Sequence, residues 1–71
     1  MGFDHSKLLG KIKELGFRQE DIAKQIGINK GTMNAKLNNK NAFTTGEMDS
    51  ICRLLGIPKT EIGEYFFTQK V

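Results

Sequence analysis

The stretch from Gln19 to Asn38, QEDIAKQIGINKGTMNAKLN, leaves this chain few ways to fold. Ile22, Ala23 and Ile26 recur at i, i+1 and i+4, which is one apolar face of a helix. Gly27 follows at once. Glycine takes φ > 0 without penalty, so it stops the helix and turns the chain. Ile28 is apolar and can plug the corner, and Asn29 is a good N-cap for a second helix. Met33 and Leu37, four apart, supply that helix with a buried stripe. The spacing predicts helix 2 over about 19–26 and helix 3 over about 30–38, joined by a tight turn. Helix 3 then leaves Lys30, Gly31, Thr32, Asn34, Ala35 and Asn38 facing outward. None of these is acidic, and several can donate hydrogen bonds.

The flanks supply the rest of an all-helical domain. Leu8, Leu9, Ile12 and Leu15 recur at helical spacing and Gly16 ends the run, which predicts helix 1 over about 5–15 with Asp4 as its N-cap. Lys7, Lys11 and Lys13 lie outside. Gly10 weakens this helix by about 1 kcal/mol relative to alanine. Phe17 is a core residue between helices 1 and 2. Asn38 to Ala42 form a polar loop that Phe43 anchors. Thr44 and Glu47 have capping-box spacing, and Met48, Ile51, Cys52 and Leu55 form the stripe of helix 4, about 45–55. Gly56 ends it. Pro58 fits a first helical position. Ile62 and Phe66 share a face, giving helix 5 over about 58–66, and Thr68 to Val71 read as a loose tail. There is no strand pattern, internal repeat or low-complexity segment. The expectation is a compact five-helix, all-α single domain over 1–71 with its core within about 5–66.

Composition narrows the function classes. The chain has 71 residues and one cysteine, so no internal disulfide can form and export to an oxidising compartment is not implied. No apolar run is long enough for a membrane span or a signal peptide. The net charge of +3 is unevenly placed. Residues 24–40 hold Lys24, Lys30, Lys36 and Lys40 and no acid, whereas residues 1–23 balance and 41–71 carry one net negative charge. Such a patch attracts polyanions, although a merely solvated lysine face would have the same composition. His5 has no second histidine and Cys52 lies on an apolar stripe, so no metal site is expected. Asp4, Glu14, Glu20 and Asp21 form no spaced pair, and no glycine-rich phosphate loop is present. No enzyme, cofactor or small-molecule ligand is expected.

A short helix, a glycine turn and a second short helix make the pattern of a helix-turn-helix, whose second helix enters the DNA major groove. With this unit on helices 2 and 3 of five, the chain resembles the Cro/repressor (XRE-like) family, and most the small repressors of phages and prophages, over about residues 5–66. Gln19 stands at the motif's start, Ala23 at its small position and Gly27 in its turn. Ile22, Ile26, Ile28 and Met33 fill its apolar positions, and Leu55, Gly56 and Ile57 match the end of helix 4. Two positions depart. The last apolar place of the recognition helix falls on Lys36, with Leu37 one residue later, so that helix either runs one residue longer or ends with a different rotation. Arg18 replaces the usual Ser or Thr cap of helix 2, losing a cap and adding a phosphate ligand.

The resemblance implies a lambda-repressor-like fold and a sequence-specific regulator of transcription, acting as a Cro-like repressor by occupying a duplex operator in the bacterial cytoplasm. Carried over by position, Lys30, Gly31, Thr32 and Ala35 fall where the family reads bases, and Asn34 is a further candidate. Lysine can donate to guanine, a Thr or Ala methyl can meet thymine, and Gly31 permits close approach. Arg18, Gln19, Lys36, Asn38, Asn39, Lys40 and Asn41 are the expected phosphate contacts. A homodimer on two half-sites is implied. Tyr65 and Phe67 are its candidate contacts, because three consecutive aromatics are many for one short helix to bury. The alternative is a helical protein–protein module such as an antitoxin or anti-repressor. RNA binding is disfavoured, since no aromatic interrupts the basic stretch from Lys24 to Lys40.

Overall fold

The computed structural model describes residues 3–69. Five α-helices follow in order: α1 Ser6–Glu14, α2 Gln19–Ile26, α3 Lys30–Leu37, α4 Thr45–Leu55 and α5 Ile62–Phe66. A 3-10 turn, Lys59–Glu61, runs directly into α5. The expected helix 5 is thus split into two shorter turns. Pro58 stands outside it in extended backbone, ψ 144°. An isolated antiparallel bridge between Phe3 and Gln69 is the one β-type pairing among the described residues. The radius of gyration is 11.0 Å, which is the value expected for a compact chain of this length, about 11 Å.

The helices stop by one device used four times. After each of α1 to α4, one residue takes a left-handed conformation and the next amide reaches back five residues. Phe17 donates to Ile12, Ile28 to Ala23, Lys40 to Ala35 and Ile57 to Cys52, at 2.8–3.0 Å. This is the Schellman arrangement, which satisfies carbonyls that a helix end would otherwise orphan. Gly16, Gly27 and Gly56 hold three of the left-handed positions, and Asn39 holds the fourth at φ 63°. After the glycines the next residue is apolar and turns inward. Ile57 is buried, and Phe17 and Ile28 pack against the core. After Asn39 the next residue is Lys40, which stays in solvent.

The core joins every helix. Leu8 and Ile12 of α1 meet Ile22 and Ala23 of α2, Met33 and Leu37 of α3, and Met48, Ile51, Cys52 and Leu55 of α4, with Tyr65 and Phe66 from α5. Leu8, Ile22, Met33, Ile51 and Phe66 are its most fully enclosed large side chains. Phe43 anchors the α3–α4 loop as expected, its ring edge-on to His5 and to Phe66. Leu15 departs from the expected stripe. It is the cap residue after α1 and remains exposed.

Two expectations about the C-terminal end are corrected. Tyr65 is buried in its own chain, with the Lys7 ammonium 5.0 Å above its ring and the Lys7–Glu64 ion pair beside it. It therefore cannot serve as a dimer contact. Thr68 and Gln69 are not loose. The Asp4 amide donates to the Thr68 carbonyl at 2.7 Å, and the Thr68 hydroxyl donates to Glu64 O. The rest of the expected tail, residues 70 and 71, lies outside the described residues.

Candidate nucleic-acid interface

The α2–α3 corner is built as its residues dictate. Gly27 sits at φ 83°, a conformation that costs a side-chain-bearing residue and not a glycine. The chain leaves it through extended Asn29, whose side chain accepts from the Thr32 amide at 2.7 Å and caps α3. Met33 and Leu37 point inward, and Lys30, Gly31, Asn34 and Asn38 are exposed on the opposite side. Thr32 and Ala35, also expected to read bases, are half-buried at the edges of that face. Asn38 turns back one helical turn and donates to Asn34 O at 2.9 Å and Asn34 Oδ1 at 3.1 Å. A Cβ on Gly31 would meet nothing nearer than Asn29 Oδ1 at 3.4 Å. The fold therefore does not require glycine there.

Lys36 is the main correction to the expected phosphate contacts. Its side chain is buried rather than presented. Its ammonium pairs with Glu47 Oε1 at 2.6 Å, donates to the Ala42 carbonyl at 3.1 Å and lies 6.0 Å from the centre of the Phe43 ring. The cause is positional. Lys36 follows Met33 by three residues, which turns it toward the core, and its methylene stem fills the place where the resembling family carries an apolar residue. Glu47 was legible as a capping residue but not as the partner of Lys36. It does both, because the same Oε1 accepts from the Thr44 amide at 2.8 Å. Burial by itself pushes the Glu47 carboxyl up, but Lys36 and Thr44 outweigh it and hold the group below the usual carboxylate range.

Asn39, also an expected phosphate contact, is engaged within the chain. Its Oδ1 accepts from the Phe3 amide at 2.9 Å and its Nδ2 donates to the Phe3 carbonyl. Its amide thus fastens the loop to Phe3, a role the sequence did not announce. Lys40 and Asn41, the next two residues, are exposed.

At the start of α2 the expected contacts stand in mixed charge. Gln19 is half-buried and Arg18 is exposed, with Glu20 Oε1 3.6 Å from its guanidinium. Asp21 accepts from the Arg18 amide at 2.9 Å. Arginine has no acceptor, so only this half of a capping box can form, as the loss of Ser or Thr implied. Two carboxylates already answer the positive end of the helix here. The cationic surface therefore lies around α3. Lys24, Lys30 and Lys40 are exposed and make no ion pair among the described residues, whereas Lys36 is neutralised.

Elsewhere the chemistry is quiet. Among the described residues no group of three or more His, Cys, Asp or Glu could hold a metal ion, and no helix is long and apolar enough to cross a membrane. His5 is buried with Nδ1 3.1 Å from Leu37 O. Cys52 is a buried thiol, and burial, with Asp49 nearby, pushes its pKa up. The exposed large apolar side chains are Phe3, Leu15 and Phe67. Phe3 and Phe67 meet edge-on, with ring centres 5.4 Å apart. They border a half-open recess of about 230 Å³ that reaches in to Phe43, Met48 and Phe66.

Comparison with known proteins adds three findings. The profile of a family described as "Protein of unknown function (DUF739)" matches residues 1–69. No curated protein matches the chain. The solution structure of the modulator of repression (MOR) of the temperate bacteriophage TP901-1 from Lactococcus lactis is similar, with 35% sequence identity and a TM-score of 0.79 over 100% of this chain and 96% of that one.

Proposed function

This chain belongs to the DUF739 family, and from that premise we propose that it is a phage regulatory protein that binds duplex DNA through α3. The observation that carries the reading is the outward face of α3. Lys30, Gly31, Asn34 and Asn38 lie there together, with no carboxylate among them and with Lys24 and Lys40 exposed in the flanking segments. An acid-free helix of this width with hydrogen-bond donors suits the major groove. The likeness to a phage modulator of repression fits a role in controlling phage genes. Occupying an operator through this face would repress by blocking access to the DNA.

Selection of bound sequences from a random duplex pool, followed by titration at several salt concentrations, tests this. A recovered consensus is expected, with log K falling linearly in log salt by about 0.9 per neutralised phosphate. Three unpaired lysines around α3 imply a slope of about −2.7, where four would give about −3.6. Binding that shows neither a consensus nor a salt dependence would remove the DNA reading.

A second reading rests on its own observation. Phe3 and Phe67 remain exposed beside an apolar recess, and the similar phage protein is named for modulating repression rather than for repressing. A helical module that acts on another regulator would fit both. It predicts no salt-dependent duplex binding by the isolated chain.

A further inference from the structure

The loop between α3 and α4 is fastened at both ends by side chains expected to touch DNA. At its start, Asn39 supplies the left-handed residue that ends α3, and its side-chain amide bonds both the N–H and the C=O of Phe3. At its far end, the Lys36 ammonium holds the Ala42 carbonyl, and Glu47 holds Lys36 and the Thr44 amide with one oxygen. Phe43, between these anchors, is wedged edge-on between His5 and Phe66. Lys40 and Asn41 sit between the two fastenings, both exposed, with the Lys40 amide tied to Ala35 O at 2.8 Å.

We propose that Asn39 and Lys36 are positioning residues that hold this loop rigid, so that Lys40 and Asn41 form a second phosphate-contacting element beside α3. This rests on the proposed DNA binding and divides four of the seven expected phosphate contacts into two that hold and two that touch. The physical case is entropic. A lysine on a free loop loses backbone and side-chain freedom when it meets a phosphate, whereas a lysine on a loop already ordered loses less. Asparagine is used at 39 because it does two things. Glycine would accept the positive φ but could not bind Phe3, and a residue with a longer amide would tolerate the backbone less well.

The decisive variant is Asn39→Gly, which keeps the left-handed turn and removes both bonds to Phe3. Backbone ¹⁵N order parameters at Lys40, Asn41 and Ala42 are expected to fall from the rigid range, about 0.85, toward about 0.6. Affinity for duplex DNA is expected to drop about fivefold, the scale of ordering the backbone of one residue, with the salt slope unchanged. Lys40→Ala should do the reverse, leaving the order parameters alone and lowering the slope by about 0.9. The double variant Lys36→Met, Glu47→Gln loosens the other fastening without leaving a buried charge unpaired, and is expected to weaken binding in the same way.

An Asn39→Gly protein with an unchanged loop, or with a loosened loop and unchanged affinity, overturns the inference while the DNA reading stands. Failure of the wild-type chain to bind any duplex overturns the reading and the positioning role together.

Discussion

One oxygen of Glu47 receives both the Lys36 ammonium and the Thr44 amide, and the consequence is a pH dependence of known sign. The folded carboxyl sits below its ordinary value, which is about 4.3 in an unfolded chain. Its contribution is therefore complete above that value and is lost as pH falls through the lower, folded one. Thermal denaturation between pH 7 and pH 3 should show this loss, and Glu47→Gln should flatten the part of the curve that belongs to this group. Lys36→Met should be worse than Glu47→Gln at neutral pH. It leaves an ionised carboxylate largely buried without its cation, at a cost of about 3–5 kcal/mol, whereas Glu47→Gln still offers the Lys36 ammonium an amide oxygen beside the Ala42 carbonyl. Two variants that both melt at the wild-type temperature at pH 7 would mean that the pair contributes little to the fold.

At the level of elements, α3 carries the sharpest expectations. On a selected operator, Lys30→Ala should weaken binding by about 1–3 kcal/mol if it contacts a base, and by less on random duplex. Equal losses on both would move Lys30 to the phosphates. Gly31→Ala separates fold from contact. A methyl at this position would make only an ordinary contact, and alanine is the better helix former, so stability should hold or rise by up to about 1 kcal/mol. A fall in operator affinity alongside that gain would show that the backbone at 31 comes close to a base. The helices themselves were legible because each has a strong apolar stripe and an abrupt stop. Gly16, Gly27 and Gly56 marked three ends outright. What the sequence left hidden were the roles of residues engaged across long separations. Nothing local announces that Asn39 binds Phe3, thirty-six positions away. For Lys36 a signal did exist, since it occupies a place where the resembling family is apolar. Charge made it look like a surface residue, but its spacing from Met33 made it a buried one.

For the whole molecule, the open question of self-association now rests on fewer side chains. With Tyr65 enclosed, Phe67 and its neighbour Phe3 are what the C-terminal side of the fold presents. We propose a weak two-fold contact through Phe67 that a palindromic operator completes. Sedimentation of wild type and Phe67→Ser with a two-half-site duplex is the measurement. Wild type should bind as two copies cooperatively and the variant without cooperativity, and identical behaviour of the two would discard the contact. The same end of the molecule has a separate consequence. Phe3 and Gln69 are paired as neighbouring strands would be, so the first and last described residues hold each other, and the Asp4 amide between them donates to Thr68 O at 2.7 Å. Segments at the edges of a fold ordinarily fray and exchange their amide hydrogens fast. The Asp4 amide should instead exchange slowly, on the scale of the helical core. Exchange as fast as that of an unstructured peptide would show that the two segments part readily in solution.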